Sequence, residues 1–203
     1  MRDRKKLFKE FNKEYYTSGG YTDYLSDFKQ EGLDYAKQLI KKIKPEKSWK
    51  FLDVGCGLGG VVLGLRKLGY EAWGTEVSPF CLENSPVKQY LQFGDILDLP
   101  LADNSFEVVL TCDAVYYLKK EAVHKALLEI YRVVSKIFFI ENICQDSIYN
   151  NQKDNYDPLR SDKDLLTKAE LDHLIQKIGF QKIGPLFSKG KYSLDFNNLY
   201  KKI

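Results

Sequence analysis

Asp53, Glu76 and Asp95 each stand where an apolar run gives way to a turn, and a glycine cluster, Gly55-Cys56-Gly57-Leu58-Gly59-Gly60, lies between the first two. An ionised carboxylate only accepts hydrogen bonds, so all three suit a ligand rich in amino and hydroxyl groups. Asp53 comes two residues before Gly55. A carboxylate there repels a pyrophosphate and attracts a ligand amino group, in a charge-assisted bond worth roughly 1.5–3 kcal/mol. Glu76 follows Gly57 by 19 positions, and a carboxylate at that spacing can accept both hydroxyls of a ribose. Asp95, in Gly94-Asp95-Ile96-Leu97, can accept from an adenine amino group while Ile96 packs on the ring. Gly55 and Gly57 allow the backbone to approach a ligand without a Cβ clash. The glycine spacing alone is ambiguous. Gly55, Gly57 and Gly60 also satisfy the dinucleotide pattern G-x-G-x-x-G, so a nicotinamide cofactor is the alternative, with Asp53 arguing against it.

These residues need strands and helices to hold them. Lys50 to Val54, Glu71 to Thr75, Gln89 to Phe93, Phe106 to Cys112 and Ile137 to Ile140 read as strands. Helical spacing runs from Tyr24 to Lys44, with Thr22 or Asp23 as cap, and from Val61 to Leu68. Pro79 opens a short helical stretch, and Val123, Leu127, Ile130 and Val134 mark a longer one. Thr167 and Glu170 form a capping box for a helix that Gly179 stops. Two closing strands, about Phe180 to Phe187 and Tyr192 to Lys201, complete the pattern. Strand and helix alternate, which predicts an α/β fold, a doubly wound parallel sheet with helices on both faces. The polar stretch from Cys144 to Leu166 is too long for an ordinary connection and predicts a functional or loosely ordered loop.

The chain has 203 residues, 44% hydrophobic and 29% charged, enough for one globular domain with small additions. Its formal net charge of +3 is spread along the chain, which disfavours nucleic acid as partner. The densest basic run, Arg2 to Lys6, predicts a solvated end. Cys56, Cys81, Cys112 and Cys144 form no C-x-x-C pair, and neither His124 nor His173 has metal-ligand spacing, so no metal is expected. No signal peptide or membrane-length apolar run is visible, and the expectation is a cytoplasmic protein with reduced thiols and no membrane partner.

From Lys50 to Ile140 the chain resembles the class I S-adenosylmethionine-dependent methyltransferases, in their small-molecule branch. The matching stretches are Leu52-Asp53-Val54-Gly55-Cys56-Gly57, Gly74-Thr75-Glu76-Val77-Ser78, Gly94-Asp95, the run from Leu99 to Val109, and Glu129-Ile130-Tyr131-Arg132-Val133. The resemblance implies a Rossmann-like, mostly parallel seven-stranded sheet with an antiparallel last strand. Residues 1–45 would form an N-terminal helical cap and 46–203 the domain proper. It implies Asp53, Gly55, Cys56 and Gly57 beside the methionine part of the cofactor. Glu76 and Val77 would lie at the ribose, Asp95 and Ile96 at the adenine, and Cys112 and Asp113 beside the sulfonium.

One departure affects the chemistry. Many relatives carry a His in the stretch matching Asp113 to Leu118, where this chain has Tyr116, which argues against a histidine base. His124 and His173 read as structural, and the four cysteines as packing residues. Tyr116 and Tyr117 would face the acceptor or the cationic centre. Tyr15, Tyr16 and Tyr21 are candidates for a lid, and Tyr149, Tyr156 and Arg160 for the acceptor pocket. No Asn-Pro-Pro-Tyr run or Pro-Cys pair is present, which argues against base methylation. The expected activity is methyl transfer from S-adenosylmethionine to nitrogen or oxygen of a small molecule. A non-catalytic cofactor-binding or partner-activating module and a nicotinamide-dependent oxidoreductase are the rival readings.

Overall fold

Phe51 and Leu52 are neighbours in one strand and point to opposite faces of a sheet, where both are buried. That alternation, repeated in Val108 and Val109 and in Phe138 and Phe139, is what a sheet covered on both sides requires. The computed structural model describes residues 4–18, 23–147, 157–187 and 196–203. Gly19, Gly20, Tyr21, Thr22, Tyr149, Tyr156 and Tyr192 lie outside the described residues.

Seven strands are paired: β1 (Lys50–Val54), β2 (Glu71–Glu76), β3 (Leu91–Phe93), β4 (Phe106–Cys112), β5 (Val134–Asn142), β6 (Phe180–Pro185) and β7 (Phe196–Lys202). Their order is β3-β2-β1-β4-β5-β7-β6. β7 alone runs opposite to the other six strands, antiparallel to β5 and β6. The helices are α1 (Arg4–Glu10), α2 (Tyr24–Ile43), α3 (Gly60–Lys67), α4 (Pro79–Asn84), α5 (Lys120–Val133) and α6 (Lys168–Ile178). One face of the sheet packs on α5 and α6 through Leu127, Ile130, Leu171 and Ile175. The other packs on α2 and α3 through Ala36, Leu39, Val62 and Leu65. The doubly wound α/β architecture expected from the alternating pattern is thus the one observed. Thr167 and Glu170 close the capping box at the start of α6.

Two differences concern the site. The basic run Arg2 to Lys6 is not simply a solvated end, because Arg4 opens α1 and reaches inward. Leu7 and Phe11 bury themselves on the same side and hold that helix down. The β5 strand also extends past the apolar run Ile137 to Ile140 and carries Glu141 and Asn142 into the interior.

Strand order reverses at the β1–β4 boundary, so loops leaving the carboxyl ends of these two strands diverge and open a crevice. The glycine turn after β1 is seated from outside by α2. A Cβ on Gly32 would stand 2.1 Å from the carbonyl carbon of Gly60, so the two helix backbones touch directly. Gly32→Val should force α2 off α3 and cost about 3 kcal/mol, by analogy with overpacked cores. Urea unfolding measures this, and an unshifted midpoint would mean that α2 is not seated on Gly60.

Arg132, near the end of α5, ties down the loop after β3. Its guanidinium donates to the carbonyl oxygens of Leu99 (3.0 Å) and Leu101 (2.6 Å) and to Glu129 (2.8 Å), while Glu129 accepts from the Leu99 N–H (2.9 Å). This links two of the stretches on which the resemblance rests. It also fixes the segment that follows Asp95 and Ile96.

Candidate active site

A cavity of about 440 Å³ opens at the carboxyl ends of β1, β2 and β4. That is ordinary for a small-molecule site. Asp53, Gly55, Cys56, Gly57, Glu76 and Val77 line it on one side. Asp95, Ile96, Cys112 and Asp113 line it on another. All ten residues assigned to the cofactor from the sequence therefore border one space.

Asp53 is the penultimate residue of β1, its side chain turned into the cavity, and it is only 4% exposed. Among the described residues, no hydrogen-bond donor reaches its carboxylate. Burial, and then the nearby charge of Glu76, push its pKa up to about 7. A buried carboxylate in this state is matched by a cation or ammonium.

Glu76 is held differently. Its Oε2 accepts from the Gly57 N–H (2.7 Å), and its Oε1 accepts from the N–H groups of Val77 (2.7 Å) and Ser78 (2.8 Å). Burial raises its pKa, and the three N–H bonds oppose that rise. The Gly57 turn is left-handed, with φ of 53°, and a Cβ there would meet the Tyr24 hydroxyl at 2.2 Å. Glycine is therefore required at the point where the turn donates to Glu76.

Asp95 is engaged from the roof. The Arg4 guanidinium grips both of its carboxylate oxygens, with Nε donating to Oδ2 at 3.0 Å. The Leu97 N–H also donates to Oδ1 (3.0 Å). The pairing lies over the place that the sequence assigned to an adenine.

Beyond β4 and β5 the wall changes character. Tyr35 of α2 donates to Glu141 Oε2 (2.6 Å), and the Cys112 thiol donates to Tyr35 Oη (3.1 Å). Asp113, in the left-handed region at φ 56°, donates its N–H to the Glu141 carbonyl (3.1 Å). Tyr117 lines the cavity and donates to Asp157 Oδ2 (2.6 Å), which also accepts from Tyr15 (2.8 Å).

Tyr116 is set behind Tyr117. It does not border the cavity and packs with Ile143 and Leu165, one layer behind Tyr117, whose hydroxyl lies 3.3 Å from its own. Of the lid candidates, Tyr16 lines the cavity and Tyr15 sits behind Tyr117. Arg160 stays outside the cavity, with its guanidinium 5.9 Å from the centre of the Tyr116 ring. His124 and His173 are exposed on α5 and α6. Arg4, Phe11, Tyr35 and Glu141 line the cavity and were not among the residues assigned from the sequence. Glu141 had a usable signal: like Asp53 and Asp113, it is an acid at the carboxyl end of an apolar run.

Residues 52–137 match the family model described as a methyltransferase domain. Over those residues the chain is similar to that domain. The matched residues run from Leu52 in β1 to Ile137 in β5 and include every acidic residue assigned to the cofactor from the sequence.

The curated relatives include ajmaline N-methyltransferase from Rauvolfia serpentina, 27% identical over 143 residues, which are 64% of this chain and 48% of that protein. Phosphoethanolamine N-methyltransferase from Plasmodium falciparum is 27% identical over 108 residues, covering 50% of this chain and 41% of that protein. The chain thus spans about half, or less, of these curated relatives. Among solved structures, a Pyrococcus horikoshii protein superposes with a TM-score of 0.71 at 19% identity, covering 97% of this chain and 95% of that one. That likeness of fold covers nearly the whole chain. No helix among the described residues is long and apolar enough to cross a membrane. Among them, no group of three His, Cys, Asp or Glu is arranged to hold a metal ion.

Proposed function

We propose that this chain is an S-adenosylmethionine-dependent methyltransferase that moves a methyl group to nitrogen or oxygen of a small-molecule acceptor. The observation that carries the reading is Asp53, a buried carboxylate turned into the cavity and lacking a donor among the described residues. It suits the cofactor ammonium and would repel a pyrophosphate. Glu76, already oriented by three backbone N–H groups, keeps lone-pair capacity for ribose hydroxyls. Asp95 and Ile96 border the purine end, and Cys112 and Asp113 border the methyl end.

When bound, S-adenosylmethionine supplies a methyl group already activated as a sulfonium. The chain then mainly has to align an acceptor with it and remove a proton. The cavity is roofed by Leu7, Phe8 and Phe11, which supports a small acceptor over a polymer. The methyltransferase-domain match and the small-molecule methyltransferases among the curated relatives support the same reading.

Calorimetric titrations with S-adenosylmethionine and with NAD, run in parallel, test it. The methyl donor should bind with 1:1 stoichiometry, and NAD at least about tenfold more weakly, given the charge repulsion at Asp53. Binding of NAD in preference would reject the proposal in favour of an oxidoreductase.

A further inference from the structure

The described lining of the cavity carries six carboxylates, Glu31, Asp53, Glu76, Asp95, Asp113 and Glu141, against the single guanidinium of Arg4. Arg4 is held by Asp95. The proposed cofactor accounts for Asp53, Glu76 and Asp95. Glu31 on α2 is left, and with it Asp113 and Glu141, whose backbones meet where the Asp113 N–H donates to the Glu141 carbonyl.

Asp113 carries a second, independent mark of a ligand. Its Oδ1 is closed off from solvent and has no hydrogen-bond partner among the described residues. A buried acceptor left without a donor costs about 1–3 kcal/mol, and more when charged, so the site is complete only when something donates to it. Aromatic rings face the same corner: Phe11 and Tyr117 line the cavity and pack edge to face at 5.0 Å. Just behind stand Asp157, bonded to Tyr117, and Arg160, which offsets part of the negative charge.

Resting on the methyltransferase reading above, we infer that the methyl acceptor is a cationic amine, held by Asp113 and Glu141 against Phe11 and Tyr117. An ammonium supplies the missing donor once the Asp113 carboxylate turns toward the cavity, offsets the paired carboxylates and lies against ring faces that favour cations. An acidic acceptor would be repelled, and an alcohol would leave the charge uncompensated.

Asp113 also suits proton removal. Burial raises its pKa, Glu141 and Asp157 raise it further, and Arg160 opposes them. The ionised form is thus a stronger base than an ordinary aspartate. The amine N–H proton passes to the Asp113 carboxylate. The freed nitrogen lone pair forms the new N–C bond to the donor methyl, and the electron pair of the breaking C–S bond returns to sulfur. The products are the methylated amine, the thioether S-adenosylhomocysteine and a protonated Asp113.

Three probes with one skeleton test this: phenethylamine, phenethyl alcohol and phenylacetate. Each is titrated into the full-length protein saturated with S-adenosylhomocysteine. The amine should bind at least about tenfold more tightly than either of the others, the discrimination expected of a buried charge-assisted bond. In Glu141→Gln, and separately in Asp113→Asn, the preference should fall below about threefold. Two variants keep the test open should one fail to fold by circular dichroism. Equal binding of alcohol or phenylacetate, binding of none of the three, or a preference unchanged in both variants overturns the inference. Should S-adenosylhomocysteine itself not bind, the methyltransferase reading fails on its own. The same probe series on nucleoside-free protein then still reports whether the carboxylate pair selects an amine.

Discussion

Asp53→Asn is expected to weaken S-adenosylmethionine binding at pH 8 by at least about tenfold, the value of one charge-assisted hydrogen bond. It should make the protein more stable at the same time. In the wild type the Asp53 pKa is raised to about 7, because its ionised form is buried without a donor. A carboxyl whose folded-state pKa lies above its unfolded value near 4 binds its proton more tightly when folded. Its contribution to stability is full below about pH 4 and is lost as pH rises through about 7. Above that point the folded state carries a penalty of up to about 4 kcal/mol, since each tenfold difference in proton affinity between the two states is worth about 1.4 kcal/mol. Asparagine mimics the neutral form and removes the penalty, so Asp53→Asn should unfold at higher urea than wild type at pH 8, with the gap closing toward pH 5. Affinity has the opposite dependence. A ligand ammonium needs the ionised carboxylate, so below about pH 7 the wild-type dissociation constant should rise by up to about tenfold for each step of one in pH. The variant's should stay flat over that range. A variant that is neither more stable nor weaker in binding would remove Asp53 from the site.

Glu76→Gln is expected to have the larger effect on the apo fold. Three backbone N–H groups converge on the two Glu76 oxygens, and the residue is 5% exposed. An amide offers one acceptor oxygen, and its NH₂ would face an N–H on the other side, whichever way it is flipped. Leaving buried donors unpaired costs about 1–3 kcal/mol, and the lost charge adds to that. The substitution should therefore lower stability by about 3 kcal/mol, measured by urea unfolding. It should also weaken cofactor binding by about a hundredfold, because the Gly57 turn and the ribose contact are lost together. Loss of affinity without loss of stability would mean that Glu76 serves the ligand alone.

A short apolar run that ends in an acid is readable in sequence, because strand burial and a polar terminus are both local properties. The runs ending at Asp53, Glu76 and Asp113 were legible for that reason, and the fold brings all three to one cavity. The N-terminal helix was not legible. Four cations in Arg2 to Lys6 outweigh Leu7 and Phe11 in any local count, yet those two residues are buried only because distant elements supply a groove. Arg4 depends on the same long-range packing for its pairing with Asp95. Tyr116 and Tyr117 could not be told apart, since a 3-10 turn separates neighbours by an angle that neither helical nor strand periodicity encodes. Glu141 carries the same local signal as Asp113, an acid directly after an apolar run, but only the pairing of β5 with β4 shows that it faces the same cavity.

A crystal structure of the protein with S-adenosylhomocysteine bound tests the central claim most directly. The ligand should lie in the cavity below α1, with its ammonium within hydrogen-bond reach of Asp53 and its ribose hydroxyls on Glu76. A nucleoside bound elsewhere, or bound here with Asp53 and Glu76 turned away from it, would contradict the account.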